Sequence, residues 1–467
     1  MDEKNLIWLT VDSIRGDRTS IGGHTHQTTP SLARLGDQPD GVATTCISHG
    51  IWSLPSVASI LSGTYPSHHG TGLHNEVLPS EIRTVPERFS KAGFHTVGLS
   101  TNPWFSADTG LNRGFDEFDS FSIRSLLSEA GPMKILSFLK NLQAYSAGFS
   151  TTKRKHSPDF LFNEVVKQRL SELATSDQPF FLCAHYHGVH HPYYPSPTFR
   201  DRFSDLLPLS ADDAADIAFQ RTEDPYQEIA ASCPYSEEEW GAIRNMYDAL
   251  LFQIDSLLYR LIAHIDDLGI DDETIIVITS DHGDLLGEYD LLSHKLVLHD
   301  ALISVPLVVR GSKSFPERDD QLIQHIDVLQ TLMQELNIPT DGMHGVNLSE
   351  ESREFTISQR GQQTMQKTLD RVHEFNPAFN HDYVYSGLTT ALRTRDWKYI
   401  QGDEEAALYE LPNEETNLLD VYPDRADEFN TRLAEWMQEY GQPLYSDKRS
   451  KFSSTVQDRL ADLGYVE

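Results

Sequence analysis

Short runs of consecutive apolar residues, each followed by polar residues, recur between residues 5 and 311. Five of them predict buried strands, at 5–11, 95–100, 179–186, 274–280 and 305–311. Their hydrophobicity is continuous rather than alternating, which is typical of strands that helices cover on both faces of a parallel sheet. Residues 237–269 have the period of a long helix, and Gly269 suits its C-terminal cap. The pattern predicts an α/β fold with a mostly parallel central sheet flanked by helices.

The pattern changes after about residue 345. Residues 383–403 and 406–413 read as short alternating strands, which favours an antiparallel sheet, and residues 424–441 have the spacing of an amphipathic helix. We therefore predict an α/β domain over 1–345 and a smaller α+β subdomain over 346–467. In the subdomain we expect the helix to pack on the antiparallel strands.

Acidic residues dominate the composition, since 70 Asp and Glu face 38 Lys and Arg, giving a net charge of −32. Such a chain lacks the basic surface that binds nucleic acid or an anionic membrane, so neither is an expected partner. Diffuse acidity of this kind is typical of halophilic proteins and predicts a haloarchaeal source. An anionic substrate then needs a local positive site, such as a metal ion. The densest basic run, at 151–156, is either a solvated loop or a mobile flap that attracts an anion.

Cysteine usage and the apolar runs indicate the compartment. The three cysteines, Cys46, Cys183 and Cys233, fit neither a zinc-finger spacing nor a disulfide framework, which indicates reduced thiols. The run at 5–11 is too short for a secretory signal, and no run approaches the roughly 18 apolar residues of a membrane span. We therefore expect a soluble, cytoplasmic protein without a transmembrane segment.

Side chains that suit a divalent cation follow two of the predicted strands. Asp12 follows the run at 5–11, and Asp281 and His282 follow the run at 274–280. Because the carboxyl ends of parallel strands share one edge of a sheet, these side chains are expected to collect there. Two carboxylates and an imidazole form a set suited to a divalent cation. The plainer interpretation is that a strand-end Asp only caps the next helix.

Ser53 lies at or just before the start of a predicted helix. Pro55 suits the first turn of that helix, and Gly63 suits its end. Unpaired backbone amides and the positive end of the helix dipole stabilise an oxyanion at such a position. Ser53 is thus a candidate nucleophile, although the commonest reason for a serine there is to cap the helix.

A cluster of imidazoles follows the predicted strand at 179–186. It holds four histidines within seven residues, namely His185, His187, His190 and His191. Histidines punctuated by proline at a strand end indicate a polar pocket, although a chance cluster is the alternative in a chain with 20 histidines. Lys295 follows His282 by thirteen residues, and a lysine in isolation is most often a surface charge.

Five segments of the sequence, taken in chain order, resemble conserved blocks of the sulfatase branch of the alkaline phosphatase superfamily. The matching blocks are "TVDSIRGDR", "SLPSVASILSGTYPSHHG", "HGVHHPY", "SDHGDLLGEYDLLSHK" and, near the C-terminus, "LRTRDWKYI" with "ALYELPNEETNLLD". The resemblance covers nearly the whole chain. It implies a hydrolase of sulfate or phosphate esters that acts on a small anionic ester, with a sugar or lipid as a possible alcohol part.

The resemblance also implies roles for individual residues. One divalent ion, Ca²⁺, Mg²⁺ or Mn²⁺, would be held by Asp12, Asp281 and His282, with Ser53 as the nucleophile that touches it. His190 would protonate the departing alcohol, and Lys295 would contact the anionic group. Asn75 and His187 would be substrate contacts.

Two departures from the family pattern change the expected chemistry. Sulfatases that convert Cys or Ser to formylglycine carry an arginine where this chain has Val57, and the family's Gly-Lys-Trp-His-Leu-Gly block is replaced near residues 100–106. A formylglycine hydrate expels sulfate through its second hydroxyl, which a plain serine lacks. An unmodified Ser53 therefore favours phosphoryl chemistry, because a phosphoserine is cleaved by activated water. A transferase that moves a phospho-alcohol group to a sugar or lipid, and an inactive anion-binding relative, are the alternatives.

Overall fold

The computed structural model describes residues 4–129, 131–148, 150–204, 207–316, 321–442, 444, 452–453, 456–457 and 460. The strands are β1 (Asn5–Val11), β2 (Gly41–Ile47), β3 (His95–Ser100), β4 (Glu117–Ser120), β5 (Phe180–Tyr186), β6 (Thr274–Thr279), β7 (Leu285–Leu286), β8 (Leu292–Ser293), β9 (Ser304–Arg310), β10 (Thr356–Arg360), β11 (Thr389–Arg393), β12 (Trp397–Gln401) and β13 (Ala406–Glu410). The helices are α1 (Pro30–Gly36), α2 (Ser53–Ser62), α3 (Pro66–His69), α4 (Val85–Lys91), α5 (Ile123–Glu129), α6 (Gly131–Lys140), α7 (Leu142–Tyr145), α8 (Asp159–Leu173), α9 (Ala211–Glu223), α10 (Pro225–Ala230), α11 (Glu237–Leu268), α12 (Asp300–Ile303), α13 (His325–Glu335), α14 (Gln362–Phe375) and α15 (Pro423–Tyr440).

The central sheet has the strand order β2-β9-β6-β1-β5-β3-β4. The five strands from β6 to β4 are parallel, whereas β9 runs antiparallel to both of its neighbours. β1 and β5 are buried at every position, which explains the continuous apolar runs in the sequence. The predicted mostly parallel sheet flanked by helices is confirmed.

Two strands of this sheet lack the apolar signal. β2 and β4 lie at its two edges, where their residues are mostly half-buried. An edge strand packs fewer apolar side chains, so a search for continuous hydrophobicity misses it.

The segment at 120–160, which contains the basic run, has helices α5, α6 and α7. Its basic run is held against α9, because Lys155 Nζ lies 2.9 Å from Asp216 Oδ1 and over the Tyr194 ring. Arg154 lies 3.9 Å from Glu223 of the same helix. Residues 151–153 are exposed, so these contacts hold only the second half of the run against the protein, and the choice between loop and flap stays a prediction.

The C-terminal part forms the antiparallel sheet β10-β11-β12-β13, and α15 packs on it. The apolar layer between sheet and helix includes Leu392, Leu408, Phe429 and Trp436. β10 continues toward the central sheet, since Gln359 N donates a hydrogen bond of 2.8 Å to His49 O. The boundary near 345 stays a prediction. Within the described residues, no helix combines the length and the apolar character needed to cross a membrane.

Candidate active site

The carboxyl edge of the central sheet brings together Asp12, Asp281 and His282. In the register of β1 and β6, Thr10 lies opposite Thr279, so the residues two positions further along emerge at the same level. His282 Nε2 lies 3.4 Å from Asp12 Oδ1 and 3.7 Å from Asp281 Oδ2. All three side chains are buried. The polar residues at the ends of two strands that are distant in sequence thus form one cluster.

Ser53 joins this cluster from the first turn of α2. The N-cap of that helix is Trp52, and the Ser53 hydroxyl points elsewhere: its Oγ donates toward Asp12 Oδ2 at 3.4 Å and lies 3.4 Å from His282 Nε2. It also accepts a hydrogen bond of 2.9 Å from Asn102 Nδ2. The hydroxyl is therefore aimed at the cluster and does not cap its own helix.

The donor set fits a divalent cation. His282 Nδ1 donates to Gly283 O at 2.8 Å, so the lone pair of its Nε2 faces the two carboxylates. Asp281 Oδ2 is buried and has no hydrogen-bond partner among the described residues. Burial and the charge of Asp281 raise the pKa of Asp12 well above its ordinary value. Lone pairs and carboxylates that face each other in a buried site are stabilised by a cation between them.

A family model described as Sulfatase matches residues 4–338 of this 467-residue chain. The chain belongs to the sulfatase family. It is 24% identical to the uncharacterized sulfatase YidJ of Escherichia coli over 294 residues, which are 60% of this chain and 57% of that protein. It is 23% identical to arylsulfatase K of Xenopus laevis over 409 residues, which are 81% of this chain and 72% of the relative. The predicted sulfatase resemblance is confirmed.

Solved structures share the fold of this sulfatase-family chain. The phosphonate monoester hydrolase of Agrobacterium radiobacter superposes with a TM-score of 0.73 at 18% identity, covering 94% of this chain and 96% of that chain. A protein solved with its substrate D-glucosamine-2-N,6-O-disulfate superposes with a TM-score of 0.69 at 16% identity, covering 97% and 100%. At these identities the likeness shows the fold alone. The sulfatase family generally binds a divalent metal ion, and the Asp12, Asp281 and His282 group has the composition of such a site.

The predicted histidines lie beside the cluster. The ring of His190 lies 5.1 Å from that of His294, which in turn lies 4.3 Å from the ring of His282. His187 lies next to His190, with 5.7 Å between ring centroids. Burial, followed by the neighbouring imidazoles of His191 and His294, lowers the pKa of His190 well below its ordinary value. At neutral pH the His190 ring is uncharged.

Lys295 and Asn75 both line a cavity of about 650 Å³ beside α2. Trp52, the residue before Ser53, lines the same cavity. Lys295 Nζ donates a hydrogen bond of 2.8 Å to Tyr226 OH. The side chain of Asn75 donates to Leu444 O at 3.3 Å.

Sequence reasoning missed Asn102, which donates hydrogen bonds to two members of the cluster. Its Nδ2 donates to Asp12 Oδ2 at 2.7 Å as well as to Ser53 Oγ. Asn102 follows β3, in the stretch that replaces the family's lysine-histidine block. The available signal was a polar residue directly after a predicted strand, the same signal that identified Asp12.

His294 and Asp284 were also not assigned to the site. His294 Nδ1 lies 3.0 Å from Asp284 Oδ1, and both side chains are buried. His294 follows β8, a strand of only two residues, so no apolar run marks its position.

Proposed function

We propose that this chain is a metal-dependent hydrolase of phosphate or sulfate esters that forms a covalent intermediate on Ser53. The observation that carries the proposal is the position of the Ser53 hydroxyl. It lies within 3.4 Å of both Asp12 and His282 at the start of α2, and it does not serve as the helix cap.

Ser53, Asp12 and Asn102 contribute to the first step, the attack on the ester. Ser53 Oγ forms a bond to the phosphorus or sulfur atom while the bond from that atom to the alcohol oxygen breaks. The hydroxyl donates toward Asp12, which is the acceptor placed for its proton, and Asn102 donates to the same Oγ and stabilises the charge that develops there. A divalent ion held by Asp12, Asp281 and His282 would supply Lewis-acid polarisation of the ester.

A second step releases the inorganic product. Water attacks the ester on Ser53, which breaks the bond to Oγ and restores the hydroxyl. Lys295 carries the positive charge that offsets the anionic group of the ester, which suits its place in the cavity next to Trp52.

The leaving group needs a proton or an equivalent positive charge. Neutral His190 donates its Nδ1 proton to His191 O at 2.8 Å, so its Nε2 carries a lone pair. His190 stays the proposed general acid: its protonated ring, a minor species at neutral pH because its pKa is low, gives its Nε2 proton to the departing alcohol oxygen.

An unmodified Ser53 suits phosphoryl transfer better than sulfuryl transfer. A sulfate ester of serine has no internal route of collapse, whereas a phosphate ester of serine is open to attack by activated water. A phosphonate monoester hydrolase shares this fold, so the fold is compatible with this substrate class. The relatives named as sulfatases favour the second candidate, a sulfate ester cleaved by a modified Ser53.

The alcohol part of the substrate would occupy the cavity of about 650 Å³. Its lining combines the indoles of Trp52 and Trp104 with the cationic groups of Lys295, Lys367 and Arg371, of which Lys367 is paired with Glu76 at 2.9 Å. Such a lining suits a ring that carries a further anionic group, as in the disulfated glucosamine bound by one protein of this fold. The oxygen-rich ligands favour Ca²⁺, Mg²⁺ or Mn²⁺ as the resident ion.

Replacement of Ser53 by alanine tests the proposal. Ser53→Ala should lower kcat/KM for aryl phosphate, phosphonate and sulfate esters by roughly 10⁴-fold or more, since removal of a nucleophile typically costs this much. The matched control is Ser56→Ala on the same helix, which loses a contact with Ser48 and should keep wild-type activity. Retention of most of the activity by Ser53→Ala would refute the nucleophile.

Mass spectrometry of the peptide that spans Ser53 identifies the ester class. An unmodified serine that carries a phosphoryl group after acid quench supports the phosphoryl route, and formylglycine supports the sulfatase route. Product analysis with an added alcohol acceptor separates hydrolysis from the transferase alternative. A protein that binds no divalent ion would be the inactive anion-binding relative.

A further inference from the structure

Tyr226 is a buried tyrosine in the lining of the cavity beside α2. It lies on α10, is 5% exposed, and shares the lining with Lys295 and Trp52. We propose that the Tyr226 hydroxyl donates a hydrogen bond to the anionic group of the ester, next to Lys295, and is therefore a further substrate-binding residue. This role deepens the proposed function and rests on it, because that function places the anionic group at Lys295.

The hydrogen bond between Lys295 and Tyr226 leaves the hydroxyl proton available. Lys295 Nζ donates to Tyr226 OH at 2.8 Å. An ammonium has no lone pair, so the hydroxyl accepts in this contact and keeps its own proton. Among the residues that the structure describes, no acceptor receives that proton. Because buried polar groups are normally paired, a hydroxyl proton without an acceptor in a cavity wall indicates a donor for a bound ligand.

The position of the Tyr226 ring is fixed by its neighbours. The carboxylate of Asp224 accepts a hydrogen bond of 3.2 Å from Tyr226 N, and the guanidinium of Arg371 on α14 lies over the ring, 4.3 Å from its centroid. The ends of the two helices are joined as well, since Asn376 Nδ2 donates to Ala230 O at 2.8 Å. A donor that is already held in place loses little conformational freedom when a ligand binds, which favours affinity.

The ammonium and the hydroxyl form a pair of donors beside the proposed catalytic cluster. Lys295 directly follows His294, whose ring lies 4.3 Å from that of His282. Two donor atoms 2.8 Å apart can contact the same tetrahedral phosphate or sulfate group. The hydroxyl is the stronger donor for accepting from a cation, because that contact polarises its O–H bond. An anionic acceptor strengthens the hydrogen bond further.

Tyr226→Phe tests the hydroxyl alone, because phenylalanine keeps the ring under Arg371. Binding of inorganic phosphate to the full-length protein, measured by calorimetry in Mg²⁺, should weaken by roughly 10–100-fold, the usual cost of a hydrogen bond to a charged group. For whichever of an aryl phosphate and an aryl sulfate the wild type cleaves, the loss should lie mainly in KM, since the hydroxyl contacts the anion before and during the reaction. Unchanged phosphate affinity in Tyr226→Phe would overturn the role.

A double-mutant cycle separates direct contact from a role through Lys295. In a Lys295→Met background, Tyr226→Phe should lower kcat/KM by roughly a further 10-fold, because the hydroxyl still donates to the anion. If the second substitution has no effect in that background, Tyr226 only holds Lys295 in place and the proposed contact is wrong.

Tyr145 on α7 provides a matched control. Its hydroxyl accepts a hydrogen bond of 2.9 Å from Arg260, whose guanidinium also lies 5.3 Å from the Tyr145 ring centroid. Tyr145→Phe therefore loses the same kind of contact outside the cavity lining, and it should keep wild-type phosphate affinity and kcat/KM.

The phosphate measurement also distinguishes failure of this role from failure of the proposed function. If the wild type cleaves neither ester but binds phosphate, the proposed function fails, and weaker binding by Tyr226→Phe still supports the contact. If the wild type cleaves an ester and Tyr226→Phe matches it in KM and in phosphate affinity, the proposed function stands and the Tyr226 contact fails. A wild type that neither binds phosphate nor cleaves an ester refutes both.

Discussion

One side-chain amide, that of Asn102, donates hydrogen bonds to both oxygens that matter most in the proposed first step. Its Nδ2 lies 2.7 Å from Asp12 Oδ2 and 2.9 Å from Ser53 Oγ. We expect Asn102→Ala to lower kcat by roughly 10²–10³-fold, the usual cost of removing a donor that faces developing charge. The control is Ser106→Ala in the same loop, whose buried hydroxyl has no partner among the described residues. Equal kcat values for the two variants would contradict the role.

His69 should make the stability of the protein depend on pH, although it is not part of the proposed active site. Its Nδ1 accepts a hydrogen bond of 3.0 Å from Thr71 N, so the cationic ring cannot be accommodated. Burial, with the charges of His68 and His344, lowers the pKa of His69 to about 3. Below pH 6.5 the unfolded chain therefore binds a proton that the native chain does not, and the free energy of unfolding falls as the pH drops.

His69→Asn tests this linkage, because its Oδ1 can accept from Thr71 N without titrating. Between pH 6.5 and 4, wild-type stability should fall about 1.4 kcal/mol per pH unit more steeply than that of the variant. Urea unfolding at four pH values gives both slopes. Parallel slopes would mean that His69 is protonated in the native state.

At the scale of elements, the loop after β5 packs closely against the end of β1 at Gly188. This residue has φ +66°, and a Cβ there would lie 2.6 Å from Val11 Cγ1 and 2.7 Å from Asp12 O. Val189 N donates to the same Asp12 O at 3.2 Å. A side chain at position 188 would thus displace the backbone that carries Asp12.

We expect Gly188→Ala to lose both stability and activity. The left-handed backbone alone costs an L-residue about 1–2 kcal/mol, and the collision with Asp12 adds to this cost. Gly93→Ala is the matched control, because Gly93 has φ +97° and nothing within 4 Å of its added Cβ. The control should lose only this backbone cost of about 1–2 kcal/mol in thermal unfolding and keep its activity. Equal losses in the two variants would show that the close contact of residue 188 with Asp12 has no effect.

The elements also show what the sequence could predict about the site. Apolar runs located β1 and β6, and the polar residues after them, Asp12 and Asp281, meet because parallel strands end at one edge. The same reasoning located β3 but left Asn102 unassigned, because strand order is not encoded in local periodicity. The order β6-β1-β5-β3 results from long-range packing, and only that packing brings the end of β3 to Ser53. His294 follows a two-residue strand, which no periodicity reveals.

At the scale of the whole molecule, the net charge of −32 opposes folding through repulsion among surface carboxylates. The cavity beside α2 is lined by the cationic groups of Lys295, Lys367 and Arg371 together with Glu76, which lies 2.9 Å from Lys367. The excess of positive charge in this lining is how an acidic chain could bind the proposed anionic ester. A haloarchaeal source and a cytoplasmic location stay predictions from composition.

Salt should stabilise this protein by screening, because the Debye length falls from about 10 Å at 0.1 M to about 3 Å at 1 M ionic strength. We expect the Tm to rise between 0.1 and 1 M KCl and to level off above 1 M, since few repulsive pairs then remain unscreened. Scanning calorimetry in KCl and in K₂SO₄ of equal ionic strength separates screening from exclusion of the salt from the protein surface. Equal rises in the two salts identify screening, whereas a rise in sulfate alone identifies exclusion and removes the net charge as the cause.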